Sequence, residues 1–247
     1  MDPVTTPKRR LLGCAAAVVV GAAALAGCAS QPRIAVPPGI PPGPGAPLPA
    51  IDVDAPGRSA DQLADWAAGR SDELGISVTA LEAYGYAAAV MARSRPDCGI
   101  GWTTIAGIAG VESRHGTYRG SHVAPDGKVS PPIRGVPLDG APGLAVIPDT
   151  DGGTMDGDAV HDRAMGPLQF IPETWRRWGV DANGDGVADP DSIDDASLTA
   201  ARYLCARGGD LTGADGWRQA LMAYNQSVEY LGEVRYRAAA YSVGVRP

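Results

Sequence analysis

A single carboxylate within an apolar segment is the first candidate for chemistry in this sequence. Glu112 lies in the segment 105–116, and if this segment is a helix, Ile105, Ile108 and Glu112 share one face at i, i+3 and i+7. An acid on an apolar face is disfavoured unless a partner stabilises it or its raised pKa serves a reaction. Glu112 could therefore be a structural cap or pair, but the spacing favours a catalytic acid that carries a proton.

A second group of oxygen-bearing side chains begins at Asp181. The segment 181–189 matches the opening of an EF-hand-like calcium loop, with oxygen side chains at positions 1, 3 and 5, a glycine at the turn and a carbonyl at position 7. Position 12 is Ser192, where such loops have a bidentate Glu, so we expect Asp195 rather than Asp194 to supply the last ligand. The predicted Ca²⁺ ligands are Asp181, Asn183, Asp185, the Val187 carbonyl and Asp195. The alternative is a turn rich in Asp and Asn that binds no ion.

The sequence on both sides of Glu112 and of the segment 181–189 has helical periodicity, which predicts a mainly α domain. Ser77 is a polar start for the helix that precedes Glu112, Pro96 ends that helix, and Gly116 is the expected stop of the helix that carries Glu112. The predicted helices are 77–93, 102–115, 172–178, 195–207, 217–230 and 233–241, with a short helical start at 71–75.

A Gly/Pro/Asp-rich insert, residues 117–163, separates the helix of Glu112 from the calcium-like loop. A loop this long in a compact domain is usually a lid or a cleft wall, or it is disordered. The segment 132–136 is a candidate minor hairpin. The acids Asp149, Asp151, Asp156 and Asp158 allow a cation site, although a solvated loop is the favoured interpretation.

The N-terminal quarter of the chain is not typical of a folded domain. Residues 8–10 are basic and residues 11–27 are apolar but too short to span a bilayer comfortably, which indicates an export signal over residues 1–28. The end of this segment resembles the lipobox of bacterial lipoproteins, which implies lipidation at Cys28. Cleavage at a small-residue site and an uncleaved signal anchor are the alternatives. In each case the domain works outside the cytoplasmic membrane.

Residues 29–58 are rich in Pro and Gly, which predicts an extended tether ahead of a domain at 59–247. A lipid anchor followed by a tether indicates a membrane-anchored protein that faces the periplasm or the cell wall. After residue 58 the chain has 16 basic and 25 acidic residues, a balance of -9, so nucleic acid is an unsuitable partner.

The cysteines divide between the export segment and the domain. Cys14 and Cys28 belong to the first, which leaves Cys98 and Cys205 in an exported domain. In an oxidising compartment two such thiols most simply form one disulfide, and two buried free thiols are the alternative.

Three segments in this order resemble the lysozyme-like catalytic domain of lytic murein transglycosylases. They are Glu112-Ser113 before Gly116, the segment 166–170, and Ala223-Tyr224-Asn225. The calcium-like loop between the second and third segments makes the resemblance closer to the membrane-bound lytic murein transglycosylase B family than to the soluble family. The resemblance covers roughly residues 77–241 and departs from the family at Pro167 and over the insert.

The resemblance implies a lysozyme-like fold, peptidoglycan glycan strands as substrate and bound Ca²⁺. Glu112 would protonate the glycosidic oxygen between N-acetylmuramic acid and N-acetylglucosamine, and would then accept a proton from the C6 hydroxyl, giving a 1,6-anhydromuramyl end. The residues implied to position sugar and acetamido groups are Ser113, Gln169, Tyr224 and Asn225, and Tyr224 is also a candidate to hold Glu112. No second acid lies at a comparable helical site, although Asp162 and Glu173 stay open as partners.

Two other functions remain open at this stage. A hydrolytic muramidase on the same fold would use water and leave reducing ends. A non-catalytic, calcium-stabilised lipoprotein that binds the wall would make no cut at all.

Overall fold

The computed structural model describes residues 35–247, and its regular structure is mainly helical, as predicted. Within this range a 3₁₀ turn at Ser59–Leu63 precedes seven α-helices. The helices are α1 Ala64–Leu74, α2 Val78–Ser94, α3 Trp102–Ser113, α4 Pro172–Trp178, α5 Ile193–Gly208, α6 Ala214–Tyr224 and α7 Val228–Ser242. The predicted signal segment, Cys28 and the first residues of the predicted tether lie outside the described residues.

The helix that carries Glu112 is the centre of the fold. Every residue of α3 from Trp102 to Gly110 is buried, and α3 packs mainly against α7 and α2. The expected single apolar face is therefore wrong, because α3 is surrounded on all sides over its first two and a half turns. Glu112 departs from this environment because it lies in the last turn, where the helix reaches the surface.

Two glycines allow the close packing of α3. A Cβ on Gly107 would lie 2.9 Å from the Val234 carbonyl oxygen of α7, and one on Gly110 would lie 3.2 Å from the Tyr241 hydroxyl. The absence of a side chain at these positions lets α7 approach the α3 backbone closely. The position of α7 relative to Glu112 consequently depends on them.

The end of α3 is tighter than the sequence indicated. The helix stops at Ser113 instead of His115, and Arg114, His115 and Gly116 all have positive φ. The His115 amide donates to the Ala109 carbonyl at 3.0 Å, which closes the last turn. The buried His115 ring lies between the Tyr84 and Tyr241 hydroxyls, at 3.1 and 2.9 Å, and these contacts hold two non-glycine residues in a costly conformation.

The prediction of one helix over 217–230 is wrong. The helix is interrupted at residues 225–227, so that α6 ends at Tyr224 and α7 begins at Val228. Ser227 is the N-cap of α7, because its hydroxyl accepts a hydrogen bond from the Tyr230 amide at 3.1 Å. The predicted helix 233–241 is the later part of α7. By contrast, the predicted bounds of α4 are confirmed and those of α2 differ by one residue.

The insert is more ordered than a featureless loop. Strand β1 (His122–Val123) pairs with β2 (Val129–Ser130), and β3 (Arg134–Pro137) pairs with β4 (Arg163–Met165), both antiparallel. The candidate hairpin at 132–136 is wrong, because β3 pairs with the far end of the insert. The register joins Arg134 to Met165 and Pro137 to Arg163, so the two ends of the insert are held together.

The disulfide prediction is confirmed. Cys98 and Cys205 are bonded, with their Cα atoms 5.5 Å apart, and both residues are buried. The bond joins the segment before α3 to α5, which also packs against α2.

The described part of the predicted extended tether lies against the helical domain. Residues 35–58 have almost no regular structure, as expected, but they lie along the helical domain, and Leu48 and Ile51 pack against its core. A Pro-rich segment lacks amide donors but still offers carbonyl acceptors. The hydrogen bonds run from Thr103 Oγ1 to the Gly43 carbonyl (2.8 Å), from Trp102 Nε1 to Ala46 (3.1 Å) and from Trp66 Nε1 to Pro47 (3.0 Å).

Arg58 fastens the end of this segment. Its guanidinium donates to both carboxylate oxygens of Asp194 at 2.9 and 3.0 Å and also pairs with Glu82. All three side chains are less than a tenth exposed. The folded domain therefore begins before Ser59.

Among the helices of residues 35–247, none is long and apolar enough by itself to cross a membrane. The bent pair Ser59–Leu74 and Val78–Ser94 reaches the required length and hydropathy only when its members are taken together.

Candidate active site

Glu112 has the environment expected of a proton-transferring acid. It is partly exposed at the end of α3, and its Oε1 accepts a hydrogen bond of 2.6 Å from the Tyr230 hydroxyl. Burial raises the pKa of Glu112 from 4.5 to about 7, and the Tyr230 hydrogen bond opposes this rise. At neutral pH the acid and its carboxylate are consequently both well populated.

Tyr230 is the functional candidate that sequence reasoning missed. It lies in the first turn of α7, where Ser227 caps the helix and α3 packs against α7. Burial, followed by the charge of Glu112, raises the pKa of Tyr230, so the phenol keeps its proton and remains a donor. The sequence feature that could have indicated Tyr230 is the polar run 225–227, which ends one helix and starts the next.

Tyr224 lies beside Tyr230 but does not hold Glu112. The two rings stack with centroids 6.5 Å apart and planes 12° from parallel. The Tyr224 hydroxyl donates instead to the Leu168 carbonyl at 2.7 Å, and its ring contacts the edge of Phe170. Tyr224 therefore connects the α6 end to the segment 166–170.

Ser113 makes the matching connection from α3. Its hydroxyl donates to the Pro167 carbonyl at 2.6 Å and accepts from the Gly116 amide at 2.8 Å, and the residue is only 1% exposed. This geometry does not fit the predicted contact with sugar, because the hydroxyl is buried and already used. Ser113 and Tyr224 thus bind two successive carbonyls and fix the segment 166–170 next to Glu112.

The segment 166–170 is a tight turn that presents Gln169. A Cβ on Gly166 would lie 1.7 Å from the Pro190 carbonyl, so only glycine fits there, and Gln169 itself has φ of 52°. The side-chain NH₂ group of Gln169 donates to the Gly166 carbonyl at 2.8 Å. The side-chain oxygen of Gln169 accepts no hydrogen bond from the described residues. A non-glycine residue in this conformation often marks a functional position.

Gln169 and Tyr224 line one cleft, whereas the other predicted residues do not. The cleft has a volume of about 400 Å³ and includes Ile147, Gln169, Phe170, Tyr203, Tyr224 and Gln226. Glu112 is connected to it through Tyr230, whose ring stacks on Tyr224. Asn225 is exposed beside the cleft, and its Oδ1 accepts from the Ser227 amide at 3.0 Å, which leaves its NH₂ group free to donate.

Neither of the two other acids considered as partners lies against Glu112. Asp162 is fully buried in the insert, where Thr150 donates to both of its oxygens. Glu173 is on the surface of α4 and pairs with Arg177 at 3.5 Å. Within residues 35–247 the only side chain hydrogen-bonded to Glu112 is that of Tyr230.

Hydrogen bonds from backbone amides to its own carboxylates shape the calcium-like loop. Asp181 accepts from the Gly184 and Gly186 amides at 2.8 Å each, and Asp185 accepts from Val187 at 2.8 Å. These bonds curl the loop around its acidic side chains. The side-chain Oδ1 of Asn183 closes one further turn by accepting from the Asp185 amide at 3.0 Å.

Asp195 and Asp194 point to different neighbours. Asp195 is buried and accepts from the Ala182 and Asp189 amides at 2.8 and 2.9 Å, which brings it to the loop, whereas Asp194 binds Arg58. Burial, with a smaller contribution from the charge of Asp181, raises the pKa of Asp195 to about 6. The donor set of carboxylate, amide and carbonyl oxygens is of the kind that Ca²⁺ prefers.

A comparison with protein families matches part of the chain. A family model described as a transglycosylase SLT domain matches residues 161–210, the part of the chain with Gln169, the calcium-like loop and α5. No curated protein and no solved structure matches the chain. The match supports an enzyme of the lytic transglycosylase type that acts on peptidoglycan, on a lysozyme-like α fold, and it does not extend to a particular subtype.

Proposed function

We propose that this protein is a lytic transglycosylase that cleaves the β-1,4 bond between N-acetylmuramic acid and N-acetylglucosamine in peptidoglycan. The observation that carries the proposal is a single carboxyl group, Glu112, with a pKa of about 7 and a neutral phenol as its partner. The family match over residues 161–210 supports the substrate class. The sequence resemblance supports the transglycosylase B-like subtype.

The reaction needs one group that first gives and then takes a proton. Protonated Glu112 donates to the glycosidic oxygen as the bond to C1 breaks, and an oxocarbenium-like centre develops at C1. The resulting Glu112 carboxylate then accepts the proton of the sugar's C6 hydroxyl. The O6 oxygen of the same sugar bonds to C1, which gives the 1,6-anhydro end without water. Tyr230 stabilises the carboxylate between the two steps. Hydrolytic glycosidases use a second carboxylate instead.

The surrounding residues take two kinds of role. Gln169, Tyr224 and Asn225 offer an amide carbonyl, a ring face and an amide NH₂ toward sugar and acetamido groups. Ser113 acts indirectly, because its hydroxyl positions the segment 166–170 relative to Glu112.

The mass of the products tests this function. Purified protein is incubated with isolated peptidoglycan, and the soluble muropeptides are analysed by mass spectrometry. Anhydro ends, which are one water lighter than reducing ends, are expected for the wild type and not for Glu112→Gln. Reducing ends only would favour the hydrolytic muramidase. No release by folded wild-type protein would favour the non-catalytic wall-binding lipoprotein.

We also propose that the loop 181–195 binds a structural Ca²⁺ through Asp181, Asn183, Asp185, the Val187 carbonyl and Asp195. Bound calcium would neutralise the carboxylates and join the loop to the start of α5. Chelation should therefore lower the melting temperature of the wild type, because an ion that binds only the folded state stabilises it. Asp195→Asn, which removes one ligand of this loop, should show a smaller calcium-dependent rise in melting temperature than the wild type. A wild type indifferent to calcium would contradict the proposal.

Lipidation at Cys28 is proposed from the sequence alone, together with export to the cell envelope. Intact mass of the protein extracted from its host membranes should show a diacylglyceryl group on a chain that begins at Cys28. Cys28→Ala should lose that group and leave the membrane fraction. A mature chain that begins at another residue would contradict this assignment.

A further inference from the structure

We propose that Asp149, Asp151 and Asp162 form a second site for a hard divalent cation, located in the insert and separate from the loop 181–195. One carboxylate oxygen from each of the three residues lies within 4.8 Å of the others. The segment 149–151 and Asp162 come together because the two arms of the insert pair. The Asp149 amide donates to the Val160 carbonyl at 3.0 Å, and the Asp162 amide donates to the Ile147 carbonyl at 3.1 Å.

A carboxylate oxygen without a hydrogen-bond partner is the first argument for a cation at this site. Asp151 Oδ2 accepts from the Met155 amide at 2.8 Å, but Asp151 Oδ1 is shielded from solvent and has no hydrogen-bond partner in the described chain. A buried carboxylate oxygen without a donor is costly. A cation bound to Oδ1 would remove that cost.

The second argument is uncompensated charge. Asp162 is 0% exposed, and its two oxygens accept only from the neutral amide and hydroxyl of Thr150, each at 2.8 Å. None of the ion pairs formed by residues 35–247 includes Asp149, Asp151 or Asp162. The guanidinium groups of Arg134 and Arg163 are paired with Asp191 and Asp158, and that of Arg176 donates to the Thr150 carbonyl without forming an ion pair to the three carboxylates. Three close carboxylates without a positive partner repel one another unless a cation lies between them.

The chemistry of the donors favours Ca²⁺. Carboxylate oxygens are hard ligands, and calcium accepts an irregular set of six to eight oxygens that includes water and backbone carbonyls. Asp149 already accepts from the amides of residues 151, 152 and 153, so its orientation is set by a tight turn. Magnesium demands a more nearly ideal octahedron, which such a turn does not readily supply.

Occupancy of this site would stiffen one wall of the candidate cleft. Ile147, two residues before Asp149, lines the cleft with Gln169 and Tyr224. The Thr150 carbonyl accepts a hydrogen bond from Arg176 of α4 at 2.6 Å. A cation between residues 149–151 and Asp162 would therefore join the insert, α4 and the cleft wall.

The test counts bound cations in variants of the full chain. Asp181→Asn/Asp185→Asn protein, in which the other loop is disabled, is titrated with calcium chloride to about 5 mM by isothermal calorimetry, above the 10⁻⁴ to 10⁻³ M dissociation constants of many extracellular calcium modules. We expect one calcium per chain. Asp149→Asn/Asp151→Asn protein should bind one calcium fewer than the wild type. Asp158→Asn, which removes an insert acid paired with Arg163, should leave the number unchanged.

Two results would overturn the proposal. One is the absence of calcium binding by folded Asp181→Asn/Asp185→Asn protein. The other is an unchanged number of bound calcium ions in folded Asp149→Asn/Asp151→Asn protein. If the latter variant does not fold by circular dichroism, the count on the former variant decides alone.

Discussion

Glu112 experiences two opposing influences, since burial raises its pKa and the Tyr230 hydroxyl lowers it. Their balance near neutrality suits a group that must donate and then accept a proton. The same balance has a cost for stability, because the ionised carboxylate is less favourable in the folded protein than in water. Substitution of Glu112 separates its effect on catalysis from its effect on stability.

Glu112→Gln should abolish cleavage and stabilise the protein above pH 7. The folded-state pKa of about 7 exceeds the ordinary 4.5, so the wild type loses stability as the pH rises from 4.5 to 7. The rise corresponds to at most about 3 kcal/mol. Urea denaturation should show the variant more stable by up to this amount at pH 8, with the difference vanishing near pH 4. A difference independent of pH would contradict the burial assigned to Glu112.

Tyr230→Phe should shift the pH dependence of the reaction. Without the phenol hydrogen bond the pKa of Glu112 rises above 7, so the loss of activity on the alkaline side should move to higher pH. Turnover should fall by about 10- to 100-fold, because a hydrogen bond to a charged group contributes about 1.5–3 kcal/mol. Tyr236→Phe, on an exposed residue of the same helix, is the control and should leave the pH profile unchanged.

Reasoning from the sequence named Glu112 as the candidate acid but could not assign the hydroxyl groups around it. The directions of the Ser113 and Tyr224 hydroxyls depend on carbonyls about 55 residues away in sequence, at Pro167 and Leu168. Such contacts leave no periodic signal. Tyr230 was missed for a local reason, because the helix predicted over 217–230 runs across the polar residues 225–227, where the structure ends α6 and starts α7.

At the scale of elements, the α3–α7 contact positions the Glu112–Tyr230 pair. Gly107→Ala should destabilise the protein by about 1–3 kcal/mol, since its Cβ would lie 2.9 Å from the Val234 carbonyl. Gly232→Ala is the matched control. It lies in α7 with no atom within 4 Å of its added Cβ and should stabilise by about 0.5–1 kcal/mol. Thermal denaturation measures the stability of both variants. An equal change in stability for Gly107→Ala and Gly232→Ala would show that α7 can move away from α3 without a loss of stability.

Arg58 should contribute much more than its place in a Pro-rich segment indicates. Arg58→Ala leaves the buried carboxylates of Asp194 and Glu82 without their cation, and such a loss typically costs about 3–5 kcal/mol. Arg93→Ala, which breaks an exposed pair with Asp54, should cost less than about 1 kcal/mol. Denaturant unfolding compares the two. A small effect at Arg58 would mean that residues 35–58 dock independently of this cluster.

The helices were predictable where local signals coincide. Ser77 and Pro172 mark the starts of α2 and α4, and each helix follows within a residue of these positions. The buried surroundings of α3 were not predictable, because its short run of Ala, Gly and Ile fits a single apolar face equally well. The need for glycine at 107 and 110 follows only from the close approach of α7 to these positions.

At the scale of the whole molecule, composition misjudged two segments for the same reason. Residues 35–58 and the insert are rich in Pro, Gly and Asp, which predicts little regular structure, and that part is correct. Neither segment is independent of the helices, however, because backbone carbonyls and aspartate side chains form their hydrogen bonds locally or with the domain. Composition records which groups a segment has but not where they bind.

The Cys98–Cys205 disulfide encloses the whole insert between its two ends. A protease that cut anywhere in 117–163 would leave a nicked protein whose two pieces stay covalently joined until a reductant is added. Glu112 would then belong to one polypeptide, and Gln169, Tyr224 and Tyr230 to the other. The protein would in this way tolerate cleavage of the insert without dissociation of its two pieces.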